Sequence, residues 1–124
     1  MSSKKPIYIV IAFNDYINNQ DITGLSSLMT ENHTFIDRDG ESHGPKSFMI
    51  NGWKEFFESF PKYRNTFEKV AVSDNLVFVR GFAYWSEEMQ YDPVIWTAII
   101  EDNLISEWRV YVDTPEIRNK FKLL

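Results

Sequence analysis

LISEWRVYVD at residues 104–113 and HTFID at residues 33–37 are the two stretches that decide the fold of this chain. In the first stretch, Trp108 and Val110 alternate with polar or charged side chains, which is the period of a strand with one buried face. In the second, the carboxylate of Asp37 falls in step with Phe35. We therefore expect two strands that line the same cavity, one of which brings a carboxylate to an aromatic wall.

The composition indicates a single folded domain, which we predict to cover residues 1–124. The chain is 44% hydrophobic and 16% aromatic, and its length is enough for one sizeable core. The net charge of −5 argues against a nucleic-acid partner, which needs a concentrated basic face. The sequence contains no cysteine and only two histidines, so we expect neither a metal site nor a cofactor.

The N-terminal segment is the one place where the sequence looks like a targeting signal. Two lysines precede the apolar run IYIVIAF, but the run is short and no small-residue cleavage site follows it. No run reaches transmembrane length. We therefore expect a cytoplasmic protein that makes no contact with membranes.

Hydrophobic periodicity divides the chain into helices and strands. Four segments are predicted as helices: residues 7–19, 22–29, 45–59 and a last one that starts at Thr114. Five segments are predicted as strands: residues 33–37, 64–73, 76–86, 94–101 and 104–112. The stretch between the first strand and the third helix is interpreted as a polar loop.

This order of elements predicts an α+β fold. Four consecutive antiparallel strands that follow a set of helices favour a strongly curved antiparallel sheet wrapped around the N-terminal helices. A conical cavity then remains between the sheet and the helices, and such a cavity is a usual place for a small ligand.

Four segments and their spacing resemble the SnoaL-like group of the nuclear transport factor two-like superfamily. They are FNDYINNQDITGLSSLMTENHTFID from Phe13, the loop that ends in Gly44, DNLVFVRGFAYW from Asp74 and EDNLISEWRVYVD from Glu101. The superfamily also holds ketosteroid isomerases, limonene epoxide hydrolases, scytalone dehydratases and non-catalytic domains. The resemblance covers nearly the whole chain and implies the same cone-shaped α+β fold.

The resemblance also implies which side chains face the cavity. The last-strand tryptophan of the epoxide hydrolases matches Trp108 and their pocket arginine matches Arg80, and alternate neighbours then share the same side. The candidate ligand-binding residues are Phe13, Phe35, Trp53, Phe57, Arg80, Phe82, Tyr84, Trp96 and Trp108. The aspartate base of the ketosteroid isomerases matches Asp37, which is the candidate catalytic residue.

The catalytic sets of the resembled enzymes are incomplete in this sequence. The carboxylates of the epoxide hydrolases fall on Phe82 and Val110, and the oxyanion-hole tyrosine of the isomerases falls on Phe13. One oxyanion donor contributes roughly 3–4 kcal/mol, so ordinary ketosteroid isomerisation is not expected here.

Two functions remain open. We favour a domain that binds a small, largely apolar ligand in an aromatic-lined cavity. The alternative is an isomerase, cyclase, dehydratase or hydrolase of a small ring compound that uses Asp37 as general acid or base. We expect Arg80 to pair with Asp37 and hold it ionised. We interpret His33 as a partly exposed residue and His43 as a solvated loop residue.

The outer face of the sheet is expected to form a homodimer. Its mixture of apolar and charged groups suits a protein partner better than solvent, and dimerisation through the sheet is common in the resembled family. The residues predicted on this face are Val79, Trp85, Thr97, Ile99, Arg109, Tyr111 and Asp113.

Overall fold

The helices and strands follow one another in the predicted order in a computed structural model that describes residues 4–87 and 91–124. The helices are α1 Pro6–Asn18, α2 Ile22–Ser27, α3 Lys46–Ser59 and α4 Pro115–Lys120. The strands are β1 Met29–Ile36, β2 Ser42–His43, β3 Arg64–Ser73, β4 Leu76–Tyr84, β5 Tyr91–Glu101 and β6 Leu104–Val112. The short strand β2 lies in the segment predicted as a loop, and β1 begins earlier than predicted.

The strands form one curved, open sheet in the order β2-β1-β6-β5-β4-β3. Strands β1 and β6 run parallel, with Phe35 beside Trp108, and the other neighbours are antiparallel. The two stretches that decide the fold are therefore adjacent strands. Register shifts in the β3–β4 and β5–β6 pairs mark bulges, which bend a sheet and increase its twist. The predicted α+β class and curved sheet are confirmed.

The N-terminal helices pack on the concave face of this sheet. Asp21 caps α2 by accepting a hydrogen bond from the Gly24 N–H at 2.9 Å, which satisfies a donor that the helix leaves free. Helix α3 turns Met49, Trp53 and Phe57 toward the core, as its apolar spacing predicts.

The C-terminal segment packs on the opposite, outer face. The Phe121 ring stacks on Phe78 with centroids 4.8 Å apart and meets Tyr111 at 5.3 Å, and Leu123 is fully buried. Both faces of the central strands are therefore covered, and Ile95 on the outer side is as buried as Trp96 on the inner side.

The predicted orientation of β4 is wrong. Val77, Val79 and Ala83 are the buried residues on its inner face. Because strand residues alternate between faces, the residues predicted to face the cavity point to the outer face: Arg80, Phe82 and Tyr84. Antiparallel pairing sets Val79 opposite Trp96 and Arg80 opposite Ile95. Side chains directly opposite each other lie on the same face of a sheet. Because Trp96 points into the cavity, Val79 also points inward and Arg80 points to the outer face.

The same register corrects part of the predicted dimer surface. Val79 lies in the inner core and Trp85 lies at the mouth of the cavity. Asp113 is buried by a bidentate ion pair with Arg118, at 2.6 and 2.7 Å.

Among the described residues, no helix combines the length and the apolarity that crossing a bilayer requires.

Candidate functional site

A cavity of about 480 Å³ lies between α3 and the concave face of the sheet. It falls in the size range of small-molecule sites. Its lining is mainly aromatic and comes from β1, β2, α3 and every later strand: Phe35, Asp37, Arg38, Asp39, His43, Phe48, Met49, Gly52, Trp53, Phe56, Tyr63, Asn65, Ala83, Trp85, Val94, Trp96, Trp108 and Val110.

The walls are rigid rings that support one another. Of the predicted ligand-binding residues, the structure brings Phe35, Trp53, Trp96 and Trp108 to the cavity. The rings of Phe35 and Trp53 meet edge to face with centroids 6.3 Å apart, a favourable geometry for aromatic pairs. A flat apolar ligand would therefore meet ring faces and edges on several sides.

The prediction that Phe13 and Phe57 line the cavity is wrong. Both are buried behind the wall: Phe13 packs on Trp108 with centroids 4.9 Å apart, and Phe57 packs on Trp53 at 5.5 Å. Helical spacing explains the error for Phe57, because Gly52, Trp53 and Phe56 occupy the cavity side of α3 and Phe57 follows one position further round.

Asp37 lies in the cavity wall, and its partner is His43. Strand β2 pairs with β1 so that His43 lies beside Phe35, and His43 Nε2 is 2.9 Å from Asp37 Oδ2. Asp37 Oδ1 accepts the backbone N–H groups of Asp39 at 2.9 Å and Glu41 at 3.0 Å. The bond with His43, and then those from the backbone, hold the pKa of Asp37 below its ordinary value, because they stabilise the carboxylate.

The prediction that Arg80 pairs with Asp37 is wrong. On the outer face, the Arg80 guanidinium donates to Glu68 Oε1 and to the Leu123 carbonyl, both at 2.7 Å. The sequence held a signal for the real partner. Asp37-Arg38-Asp39-Gly40 is typical of a tight turn, Gly40 has φ 81°, and such a turn returns the chain to β1 at His43.

Both histidines differ from their predicted settings. His33 is fully buried, with Nδ1 2.7 Å from the Ile105 carbonyl, and burial lowers its pKa. His43 is partly buried and paired with Asp37. Its ring also stacks on Phe48, with centroids 6.5 Å apart and planes at 7°, so two neighbours fix the orientation of the imidazole.

The residues best placed to hold a cation are also in this turn. Asp37, Glu41 and His43 each offer one ligand atom, and these atoms lie within 4.8 Å of one another. Oxygen and imidazole ligands suit divalent metals, but Asp37 already accepts bonds at both oxygens. The arrangement is explained by the turn itself.

Sequence reasoning missed the mouth of the cavity. Asp92 Oδ2 accepts a hydrogen bond from Trp85 Nε1 at 2.8 Å and lies 3.3 Å from the guanidinium of Arg38. The ion pair with Arg38 connects β5 to the turn that follows β1. The buried Tyr63 ring packs on Trp85 with centroids 5.0 Å apart. Burial raises the pKa of Tyr63, so its hydroxyl keeps its proton at neutral pH.

Comparison with protein-family models identifies the family of this chain. The model of the SnoaL-like domain matches residues 10–108, which is most of the chain and extends from α1 into β6. The chain belongs to the SnoaL-like domain family. The resemblance drawn from the sequence is thereby confirmed. A search of curated proteins finds no match to this SnoaL-like chain.

Solved structures share the fold of this SnoaL-like domain at low sequence identity. A cystatin-fold protein from Novosphingobium aromaticivorans has a TM-score of 0.79 at 16% identity, covering 87% of this chain and 98% of its own. IdmH from Streptomyces antibioticus, a candidate polyketide cyclase, has a TM-score of 0.76 at 14% identity, with 97% and 96% covered. An LEH-like epoxide hydrolase from M. tuberculosis has a TM-score of 0.76 at 12% identity, with 95% and 90% covered. At these identities the likeness concerns the fold alone.

Proposed function

We propose that this SnoaL-like domain binds a small, largely apolar ring compound in its cavity, with a polar group of the compound beside Asp37 and His43. The observation that carries the proposal is a cavity of about 480 Å³ whose walls are rich in aromatic rings and include the Asp37–His43 pair among a few polar groups. Apolar walls with a few placed polar groups are the usual design of a small-molecule site, in which the polar groups orient the ligand.

The proposal is tested with 2-tetralone, a neutral two-ring ketone. All four tryptophans of the chain, Trp53, Trp85, Trp96 and Trp108, line the cavity, so binding should produce saturable quenching of tryptophan fluorescence. Val110→Phe adds a ring where Val110 lines the wall and should weaken binding at least tenfold, equivalent to about 1.4 kcal/mol. Quenching that does not saturate would contradict the proposal.

The matched control for this experiment is Val72→Phe. Val72 is 47% exposed on the edge strand β3 and is not one of the cavity residues. The same change of side chain there should leave 2-tetralone affinity unaltered. Equal losses in the two variants would mean that the ligand does not occupy the cavity.

A second candidate function, proton transfer on the bound ring compound, is favoured by the Asp37–His43 pair. The lowered pKa of Asp37 makes that carboxylate a weak base. A carboxylate bonded to an imidazole is suited to orienting it and stabilising its protonated form, and histidine is the most frequent general acid or base. We infer that His43 would move the proton and Asp37 would position it, which refines the role first expected for Asp37.

Proton transfer is tested by exchange of the acidic C–H groups of 2-tetralone with D₂O, followed by NMR. General base catalysis should accelerate exchange by about 100-fold or more. His43→Gln should abolish the acceleration, and Asp37→Asn should reduce it while 2-tetralone affinity changes little. Exchange no faster than with the same concentration of free imidazole would leave binding as the function and remove this candidate.

A further inference from the structure

The charge around the mouth of the cavity is unbalanced. Asp37 and Asp39 belong to the lining of the cavity. A carboxylate oxygen of Glu41 lies within 4.8 Å of a carboxylate oxygen of Asp37 and a ring nitrogen of His43. Asp92 forms an ion pair with Arg38. Asp37 is held ionised by its hydrogen bonds. Two carboxylates, Asp37 and Asp39, therefore line the cavity, and Glu41 and Asp92 lie beside the lining residues His43 and Arg38. His43 is bonded to Asp37 and Arg38 to Asp92.

Two lysines whose positions in the chain are close to lining residues are paired with other carboxylates. Lys46, at the start of α3, lies 3.8 Å from Glu31, and Lys62 lies 3.3 Å from Glu87. Among residues 4–87 and 91–124, the Asp39 carboxylate has neither an ion pair nor a hydrogen-bond donor. Asp39 is therefore the acceptor that a positive ligand group would meet first.

The walls behind this mouth favour the same sign of charge. Aromatic rings present a negative face, and a cation within about 6 Å of a ring centroid is attracted to it. Phe48 lies at the His43 side of the mouth, and Trp85 lies at the Asp92 side. A cation that reaches the free face of either ring would gain this attraction. An anionic group would face both the carboxylates and the ring faces.

We propose that the cavity selects ring compounds that carry a protonated amine, with the ring held among the tryptophans and the ammonium at Asp39. The inference rests on the proposed function, because it names the substrate class of the same cavity. The aromatic walls recognise the ring, and the unpaired carboxylate at the mouth recognises the charge.

The experiment compares three ligands that share one ring system and differ in charge. They are 2-naphthylmethylamine, 2-naphthylmethanol and 2-naphthoate, measured by isothermal titration calorimetry at pH 7.5. A cation–π contact or a partly exposed ion pair is worth a factor of about 3 to 10 in affinity. The amine should exceed the alcohol by such a factor, and the carboxylate should bind more weakly than the alcohol. The advantage of the amine should shrink as salt screens the carboxylates.

Matched variants assign the selectivity to the mouth. Asp39→Asn keeps the shape of the side chain and should remove most of the amine's advantage, while alcohol affinity changes far less. Asp74→Asn makes the same change of charge at the β3–β4 turn, where asparagine tolerates the positive φ, and it should leave the preference intact.

The outcomes separate this inference from the proposed function. If 2-naphthylmethanol binds and 2-naphthoate binds as tightly as the amine, the cavity is a ring-binding site without selection for cations, and only the inference fails. An unchanged amine preference in Asp39→Asn also overturns it. If none of the three compounds binds, the inference and the proposed function fail together.

Discussion

At the scale of single residues, the Asp37–His43 pair gives the most direct test of the site. Asp37→Asn removes a carboxylate that accepts three hydrogen bonds. Because its pKa is lowered in the folded state, the stabilisation by Asp37 is present above the ordinary value of 3.8 and is lost as pH falls through the lower folded value. The destabilisation by Asp37→Asn, measured by urea unfolding, should therefore be clear at pH 7 and disappear on strong acidification.

A double-mutant cycle identifies the partner of Asp37. Asp37→Asn combined with His43→Gln should be non-additive, because each change removes the same interaction. Asp37→Asn combined with Arg80→Gln should be additive, since Arg80 binds Glu68 and the Leu123 carbonyl on the other face. Additivity with His43, or coupling with Arg80, would reject the observed pairing.

The buried imidazole of His33 should make the fold sensitive to mild acid. Its pKa is lowered from 6.5 by burial, so the unfolded chain takes up a proton at a pH where the folded chain does not. Stability is therefore complete above pH 6.5 and falls as pH decreases below it. Between pH 7.5 and 5, His33 should therefore contribute a measurable loss of stability.

Urea unfolding of His33→Gln and His43→Gln checks this assignment. The loss between pH 7.5 and 5 should be much smaller in His33→Gln, because glutamine does not titrate. It should persist in His43→Gln, since that substitution leaves His33 buried. An equal loss in wild type and His33→Gln would show that other groups carry the pH dependence.

These residues also show where sequence reasoning reached its limit. Trp108 and Asp37 could be placed at the cavity because the family resemblance matches them to cavity residues, and strand parity and helical spacing then extended the prediction to Phe35, Trp53 and Trp96. Periodicity could not place the partner of Asp37, because it depends on a two-residue strand, β2, that brings His43 back beside Phe35; only the turn at residues 37–40 indicated that the chain returns there. Hydrophobic periodicity carries no signal for a strand so short.

At the scale of elements, the contact between β3 and β4 depends on Gly81. A Cβ added at Gly81 would lie 2.0 Å from the Thr66 carbonyl oxygen and 3.0 Å from the Thr66 carbonyl carbon, next to the register shift between these strands. Gly81→Ala must move backbone and should destabilise the fold by about 1–3 kcal/mol. Urea unfolding at neutral pH measures the change.

The control for Gly81 is the same substitution in α3. A Cβ at Gly52 has Met49 Cε at 3.9 Å as its nearest neighbour, which is ordinary contact. Gly52→Ala in a helix interior should stabilise the protein by about 0.5–1 kcal/mol. A Gly81→Ala variant as stable as wild type would show that β3 yields more easily than its bulge indicates.

The inverted orientation of β4 has a physical cause at this scale. Alternation specifies a face only when one face is apolar, and β4 carries Phe78 and Phe82 on one side and Val77 and Val79 on the other. The outer side is also apolar because the C-terminal segment covers it, with the Phe121 ring stacked on Phe78. The resemblance of Arg80 to a pocket arginine was then the only guide, and it pointed to the wrong face.

At the scale of the whole molecule, homodimerisation through the outer sheet face stays a prediction. The structure reduces the surface available, because α4 and the residues after it cover Phe78 and approach Tyr111. Thr97, Ile99, Arg109 and Tyr111 remain on the outer face by register. The guanidinium of Arg109 lies 4.7 Å from the Tyr111 ring centroid.

Light scattering at micromolar concentration should give twice the mass of one chain. Ile99→Asp places a charge in the centre of the predicted interface and should yield a monomer, because burying an unpaired carboxylate is costly. Val72→Asp makes the corresponding change on the exposed edge strand β3 and should leave the dimer intact. Since the cavity opens on the opposite side of the sheet, the monomeric variant should retain affinity for 2-tetralone. A monomeric mass for the wild-type chain would reject the dimer. Loss of 2-tetralone binding by Ile99→Asp would show that ligand binding in the cavity depends on dimerisation.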